Sequence, residues 1–307
     1  MSVRTGLPPA GEQTRARYPD EVGFVERAGV RTHWERYGTG APTLLLLPPW
    51  SIVHSRCWKA QIPYFARHFT VVAFDPRGNG RSDRPDSPDA YSEDEFAADA
   101  LAVMDATGTD RAVTVSLSLG AQRALILMSD HAERVAGAVF ISPSARVLRR
   151  APEHPEAAAA FDAERDEYEG WWKYNANYWR RDYRGFLEFF FSQVFTEEHS
   201  TKHIEDAVGW GLDSDPETLI ATEYGPALSV ERARNLAERA SGRPVLVIHG
   251  DEDAIVPHAV GAELARLTGG TLVTLHGSGH CPQARDPVAV NLLIRDFVRS
   301  LPAVRTP

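Results

Sequence analysis

The chain has 307 residues, a formal net charge of −9, 43% apolar residues and 24% charged ones. That balance is ordinary for a globular protein and excludes a disordered, collagen-like or coiled-coil chain. An acidic chain without a basic stripe suits neither nucleic acid nor an anionic membrane, so neither is expected as a partner. Two cysteines, Cys57 and Cys281, make no disulfide framework and lack zinc-ligand spacing. They fit thiols of a reducing compartment, and a cytoplasmic location is expected. The opening stretch carries no apolar signal core, and no apolar run approaches the ~18 residues that span a bilayer.

Residues 1–18 read as a flexible polar arm. Segments 23–26 and 32–37 flank Gly29 and suggest a hairpin. Segments 43–47, 70–74, 112–116, 138–141, 244–248 and 271–275 are apolar runs bounded by turn residues. Such runs fit parallel strands buried on both faces. Helical patterns lie between them at 94–107, 120–132, 259–267 and 287–301. This alternation predicts a doubly wound, mostly parallel α/β sheet. It stops between about Pro143 and Gly242, where the pattern is helical: 153–168, 171–183, 184–193, 200–210 and 230–241. Ten of the twenty-nine aromatics fall within 171–191. The domain reading is therefore an arm, 1–18, a sheet core in two pieces, 19–143 and 226–307, and an inserted helical cap, 144–225.

The strongest chemical signal is Val115-Ser116-Leu117-Ser118-Leu119-Gly120, which ends a strand and opens a helix. That is the context of a nucleophile elbow, a strand–turn–helix that lifts a serine hydroxyl above the sheet. Backbones approach closely there, so the residues two before and two after the serine must be small. Only Ser118 has a glycine two residues on, and Ser116 stands where glycine is usual. A serine hydroxyl needs a base to take its proton. Carboxylates at Asp251 and Asp253 follow one buried strand, and His280 follows the last, so acid and histidine come in the expected order. Both lie where strand ends open a crevice in such sheets.

Ser118, Asp253 and His280, together with Asp75-Pro76-Arg77-Gly78-Asn79-Gly80-Arg81-Ser82-Asp83, resemble the α/β-hydrolase superfamily over about 21–143 and 226–302. Members commonly read G-x-x-D-x-x-V-P at the acid, matched by Gly250, Asp253, Val256 and Pro257, which favours Asp253 over Asp251. The cap, with Trp171-Trp172-Lys173-Tyr174-Asn175 and His199-Ser200-Thr201-Lys202, is similar to that of an actinobacterial hydrolase subgroup. The resemblance implies a Ser118–His280–Asp253 triad and an acyl-enzyme. The chain departs from the family after the third strand, where many members have His-Gly and this one has Pro48-Pro49-Trp50-Ser51. Proline has no N–H to give. The first oxyanion donor is therefore expected at Trp50 and the second at Leu119.

Other motifs have plainer readings. The turn of Asp75, Arg77, Gly78 and Gly80 is expected to be structural. His199 and His203 stand one helical turn apart, yet no third ligand motif accompanies them, so no metal and no cofactor are expected. Ser51 and His54, near the oxyanion loop, and Trp171, Trp172, Tyr174 and Trp179, in the cap, are the expected substrate-pocket residues. The expected function is a serine hydrolase acting on an ester or related acyl bond of an apolar small molecule. An acyltransferase on the same fold and a non-catalytic ligand-binding module are the alternatives. Nothing in the sequence chooses between monomer and homodimer.

Overall fold

Apolar runs with no wet face assemble in the middle of a domain. In the computed structural model, which describes residues 15–149 and 154–302, they form one eight-stranded sheet. The strands are β1 (Glu21–Arg27), β2 (Val30–Tyr37), β3 (Thr43–Leu47), β4 (Thr70–Phe74), β5 (Ala112–Leu117), β6 (Val135–Ile141), β7 (Val245–Gly250) and β8 (Thr271–Leu275). Their spatial order is β1-β2-β4-β3-β5-β6-β7-β8. β3 to β8 are mutually parallel, and β2 lies antiparallel to both neighbours. The chain thus has the doubly wound, mostly parallel architecture expected, with the hairpin at one edge.

Side chains alternate across the sheet with period two. Leu44 and Leu46 enter one apolar cluster with Trp58 and Phe65, while Leu45 and Leu47 enter another with Val72 and Ala124. All four leucines are fully buried, and each contributes about 1.5–3 kcal/mol of transfer free energy. The helices Gly120–Asp130, Val230–Arg239 and His258–Thr268 pack against one another beside the sheet. The C-terminal ends of β3, β5 and β7 lead to Trp50, Ser118 and Ile255, which line one cavity.

Helices Pro155–Ala159, Ala176–Arg181, Tyr183–Val194, Thr201–Gly211 and Pro216–Tyr224 lie between β6 and β7. Two expected helices differ in extent. The one expected over 153–168 is a single stretch, Pro155–Ala159, with Glu153 outside the described residues. Asn175 Nδ2 donates to the Ala160 and Ala163 carbonyls, and Phe161 O accepts from Ala176 N–H, so those groups do not continue a helix. The one expected over 171–183 is a 3-10 turn, Gly170–Lys173, followed by Ala176–Arg181. Asn175 splits it by capping the Asn177 and Tyr178 amides. Pro216–Tyr224 is a further helix that the apolar pattern does not predict, although Asp215-Pro216 is a helix-start signal and Asp215 does cap the Thr218 amide at 2.9 Å. Residues 1–14 of the expected arm lie outside the described residues. Residues 15–18 are not loose, because Arg15 pairs with buried Glu35 and Arg17 reaches the Ala66 carbonyl. Among the described residues, no helix is long and apolar enough to cross a membrane.

Candidate active site

β5 delivers Ser118 in a left-handed conformation, φ +51°, just before the Gly120–Asp130 helix. Non-glycine residues rarely adopt that region, and its strain is fixed here by the surroundings. Ser118 N–H donates to Ile141 O at 3.0 Å, and Ser118 O accepts from Ala121 and Ser144 amides, each at 3.0 Å. A Cβ on Gly120 would stand 2.8 Å from Pro48 O and 3.4 Å from Ser116 Cβ. This is the close approach that requires small residues around the elbow. Ser116 is itself fully buried and donates its hydroxyl to Val139 O at 3.1 Å.

The loop after β7 carries Asp253. Its Oδ1 accepts the Ile255 and Val256 amides at 2.8 and 2.9 Å, and its Oδ2 accepts from His280 Nδ1 at 2.8 Å. A second histidine shares that oxygen: His249 Nε2 lies 3.0 Å from Asp253 Oδ2 and 3.0 Å from Val256 O. Both neighbours of His249 Nε2 are acceptors, so that nitrogen carries the proton. Burial alone would raise the Asp253 carboxyl. The nearby His280 charge and the hydrogen bonds from His249, His280 and Val256 outweigh it and hold the group well below the carboxylate range. Asp251 stands elsewhere, with its carboxylate on His276 Nδ1 at 2.7 Å and the Gly277 amide at 2.8 Å.

Ser118, Leu119, Trp50 and His280 all line one cavity of about 450 Å³ under the helices between β6 and β7. Ser118 Oγ has no hydrogen bond to a described residue; serine–histidine contacts in such sites commonly tighten only with substrate. The Trp50 and Leu119 amides have no intramolecular partner among the described residues. Two contacts fix the Pro48-Pro49 approach to Trp50. Arg123 Nη1 donates to both proline carbonyls at 2.7 Å, and its Nε meets Glu93 at 2.9 Å. The Trp50 indole N–H donates to Thr222 Oγ1 at 2.7 Å.

Of the expected pocket residues, Trp171 and Tyr174 line the cavity. Four others need correction. Ser51 is fully buried and donates to Arg77 O at 2.9 Å, inside the loop packing. His54 turns away, with Nε2 3.2 Å from Asp213 and Nδ1 3.7 Å from buried Asp75. Trp172 lies under the Arg165 guanidinium, 3.8 Å from ring centre to carbon, off the cavity. Trp179 is fully buried and stacks on Phe186 at 4.3 Å. Phe190, Phe191, Trp210 and Glu223 line the cavity instead; the aromatic cluster in the sequence signalled the first two. Cys57 and Cys281 also line it as free thiols, both raised by burial. The His203 ring meets the Ala284 carbonyl at 3.1 Å and Arg285 at 3.2 Å. Asp75 accepts from the Arg81 amide within its turn and from the Ser55 hydroxyl outside it, and a Cβ on Gly80 would come within 2.5 Å of it.

The profile of a family described as the alpha/beta hydrolase fold matches residues 42–287. The chain is 25% identical over 280 residues to 2-hydroxymuconate semialdehyde hydrolase of Pseudomonas sp. (strain CF600), covering 88% of this chain and 91% of that one. It is 28% identical over 235 residues to the non-heme chloroperoxidase of Burkholderia pyrrocinia, covering 73% and 80%. Its fold matches a solved esterase from Rhodococcus sp. ECU1013 with a TM-score of 0.75 at 23% identity, covering 92% and 99%. With fold, profile and relatives in agreement, the chain belongs to the α/β-hydrolase fold family and is a hydrolase of that family.

Proposed function

We propose that the chain cleaves a carboxylic ester or related acyl bond of an apolar small molecule through an acyl-enzyme. The observation that carries this reading is His280, held by Asp253 at 2.8 Å and lining the same cavity as the elbow residue Ser118. His280 takes the Ser118 proton as the oxygen attacks the acyl carbon, then gives it to the leaving alcohol. Asp253 fixes the imidazole tautomer, with the proton on Nδ1 facing the carboxylate, and stabilises the imidazolium. The Trp50 and Leu119 amides receive the developing oxyanion; removing one such donor costs about 10²–10³ in turnover. Water then repeats the sequence on the acyl-enzyme. Residues 144–225 act as a cap that supplies the aromatic wall and limits water. Two free cysteines support a reducing, cytoplasmic setting.

The test is covalent. A fluorophosphonate probe labels the folded wild type at one site and leaves Ser118→Ala unlabelled. Ester turnover in Ser118→Ala drops by about 10⁴–10⁶ without loss of fold. A folded wild type that stays unlabelled overturns the reading.

A further inference from the structure

One wall of the cavity does not suit a wholly apolar ligand. Two carboxylates line it, Glu93 and Glu223. Glu93 is answered by Arg123 at 2.9 Å. Glu223, from the Pro216–Tyr224 helix, has no ion pair among the described residues; the Tyr174 hydroxyl is its polar neighbour. Its surroundings are aromatic. Trp50, Trp171, Tyr174 and Phe190 line the same cavity. Trp50 lies 6.1 Å from Tyr174 and 5.6 Å from Phe190 between ring centres, and Trp171 lies 6.4 Å from Tyr174. Arg146 and Arg149 share an adjoining hollow with Glu223, but both are exposed and neither forms an ion pair with it among the described residues.

The chemistry of that wall is selective. Ring faces carry negative potential and attract organic cations. A carboxylate beside them repels anions and supplies the counter-charge. A metal ion would need several hard ligands, and one carboxylate with one phenol does not make such a set. Glu223 keeps an exposed edge, while desolvation by its apolar neighbours pushes the carboxyl up to about 7. A cation placed beside it favours the ionised form, so ligand charge and carboxylate charge reinforce each other.

We infer that Glu223, Tyr174 and the ring faces of Trp50 and Phe190 form a subsite for an organic ammonium group, so that the substrate is an ester bearing a cationic amine. Substrate bearing that group binds with its charge against Glu223 and its alkyl surface against the rings. The inference rests on the hydrolase reading only in treating the cavity as the substrate site.

The probes are a matched pair of alcohols, 6-(trimethylammonio)hexan-1-ol and its neutral carbon isostere 7,7-dimethyloctan-1-ol. Both are titrated calorimetrically into Ser118→Ala, which reads binding whether or not the enzyme turns over esters. They are also tested as inhibitors of 4-nitrophenyl butyrate hydrolysis by the wild type. The cation is expected to bind about tenfold or more tightly than the isostere, the size of one desolvated cation–aromatic contact. In Glu223→Gln the preference falls severalfold, leaving only what the ring faces supply. Equal affinities in the otherwise unaltered cavity overturn the subsite, and so does a preference that Glu223→Gln leaves unchanged. Loss of ester turnover with the cation preference intact sinks the hydrolase reading and leaves the subsite standing.

Discussion

Asp251 and Asp253 are two residues apart, both acidic, both just beyond β7, yet their surroundings differ completely. Asp251 sits with His276 at the surface, whereas Asp253 is buried between His280, His249 and two backbone amides. Each oxygen of Asp253 already has two donors, so its orientation is set before any ligand arrives. Under the proposed mechanism Asp253→Asn replaces an acceptor by a group that can donate, which disfavours the required His280 tautomer. The expected loss in kcat is about 10⁴. Asp251→Asn should change kcat by less than about twofold, since surface pairs contribute little. Steady-state kinetics of the two variants decides between them; a larger loss in Asp251→Asn would reverse the assignment of the acid.

Elements show where sequence patterns suffice and where they do not. The strands were legible because buried parallel strands are local apolar runs, and the elbow because its crowding forces Gly120 and a small Ser116. Gly120→Ala tests that crowding: its methyl meets backbone at Pro48 O, 2.8 Å away, which cannot rotate aside. The expected cost is about 1–3 kcal/mol of stability, read as a lower denaturant midpoint, with turnover reduced as the elbow shifts. The aromatics of residues 171–191 were not legible in the same way. An unbroken helix over 171–183 would have set one face by period, but Asn175 interrupts it and turns the next helix to a different face. Trp171 and Tyr174 therefore meet the cavity while Trp179 enters the core. Asn175→Ala removes a cap from two amides and two donor bonds to Ala160 and Ala163. A loss of about 1–2 kcal/mol is expected from the cap, measured by chemical denaturation. Arg123 on Pro48 and Pro49, His249 on Asp253 and Trp50 on Thr222 were also hidden. Their partners are set by the packed core rather than by neighbours in the pattern.

Acid response belongs to the whole molecule. Asp75 and Asp253 are both buried, and both carboxyls are held well below the usual range. For Asp75, burial pushes upward, but the His33 ring, with Nδ1 3.3 Å away, and the charge of His54 prevail. A carboxyl lowered in the folded state contributes stability that is complete above its unfolded pKa, about 4. That contribution is lost as pH falls from there toward the folded value. Thermal melts followed by circular dichroism should therefore give a melting temperature that declines steeply below about pH 4. Asp75→Asn should melt lower at pH 7 and show a shallower acid decline. An unchanged slope would remove Asp75 from the account. Asp75 also lies against His54, whose other nitrogen meets Asp213 beyond the Thr201–Gly211 helix. Acid thus acts on the attachment of the helices between β6 and β7 as well as on the sheet.

Trp50 joins two parts of the molecule that are 172 positions apart in sequence. Its main chain continues from β3 and presents one proposed oxyanion amide, while its indole is fastened to Thr222, next to Glu223. The residue therefore works as a linkage rod between roof and floor. Under the proposed mechanism, a ligand that lifts or tilts the Pro216–Tyr224 helix would also pull on the proposed oxyanion amide. Fit against the roof is then converted into readiness at the floor, and two esters held equally well can react at different speeds.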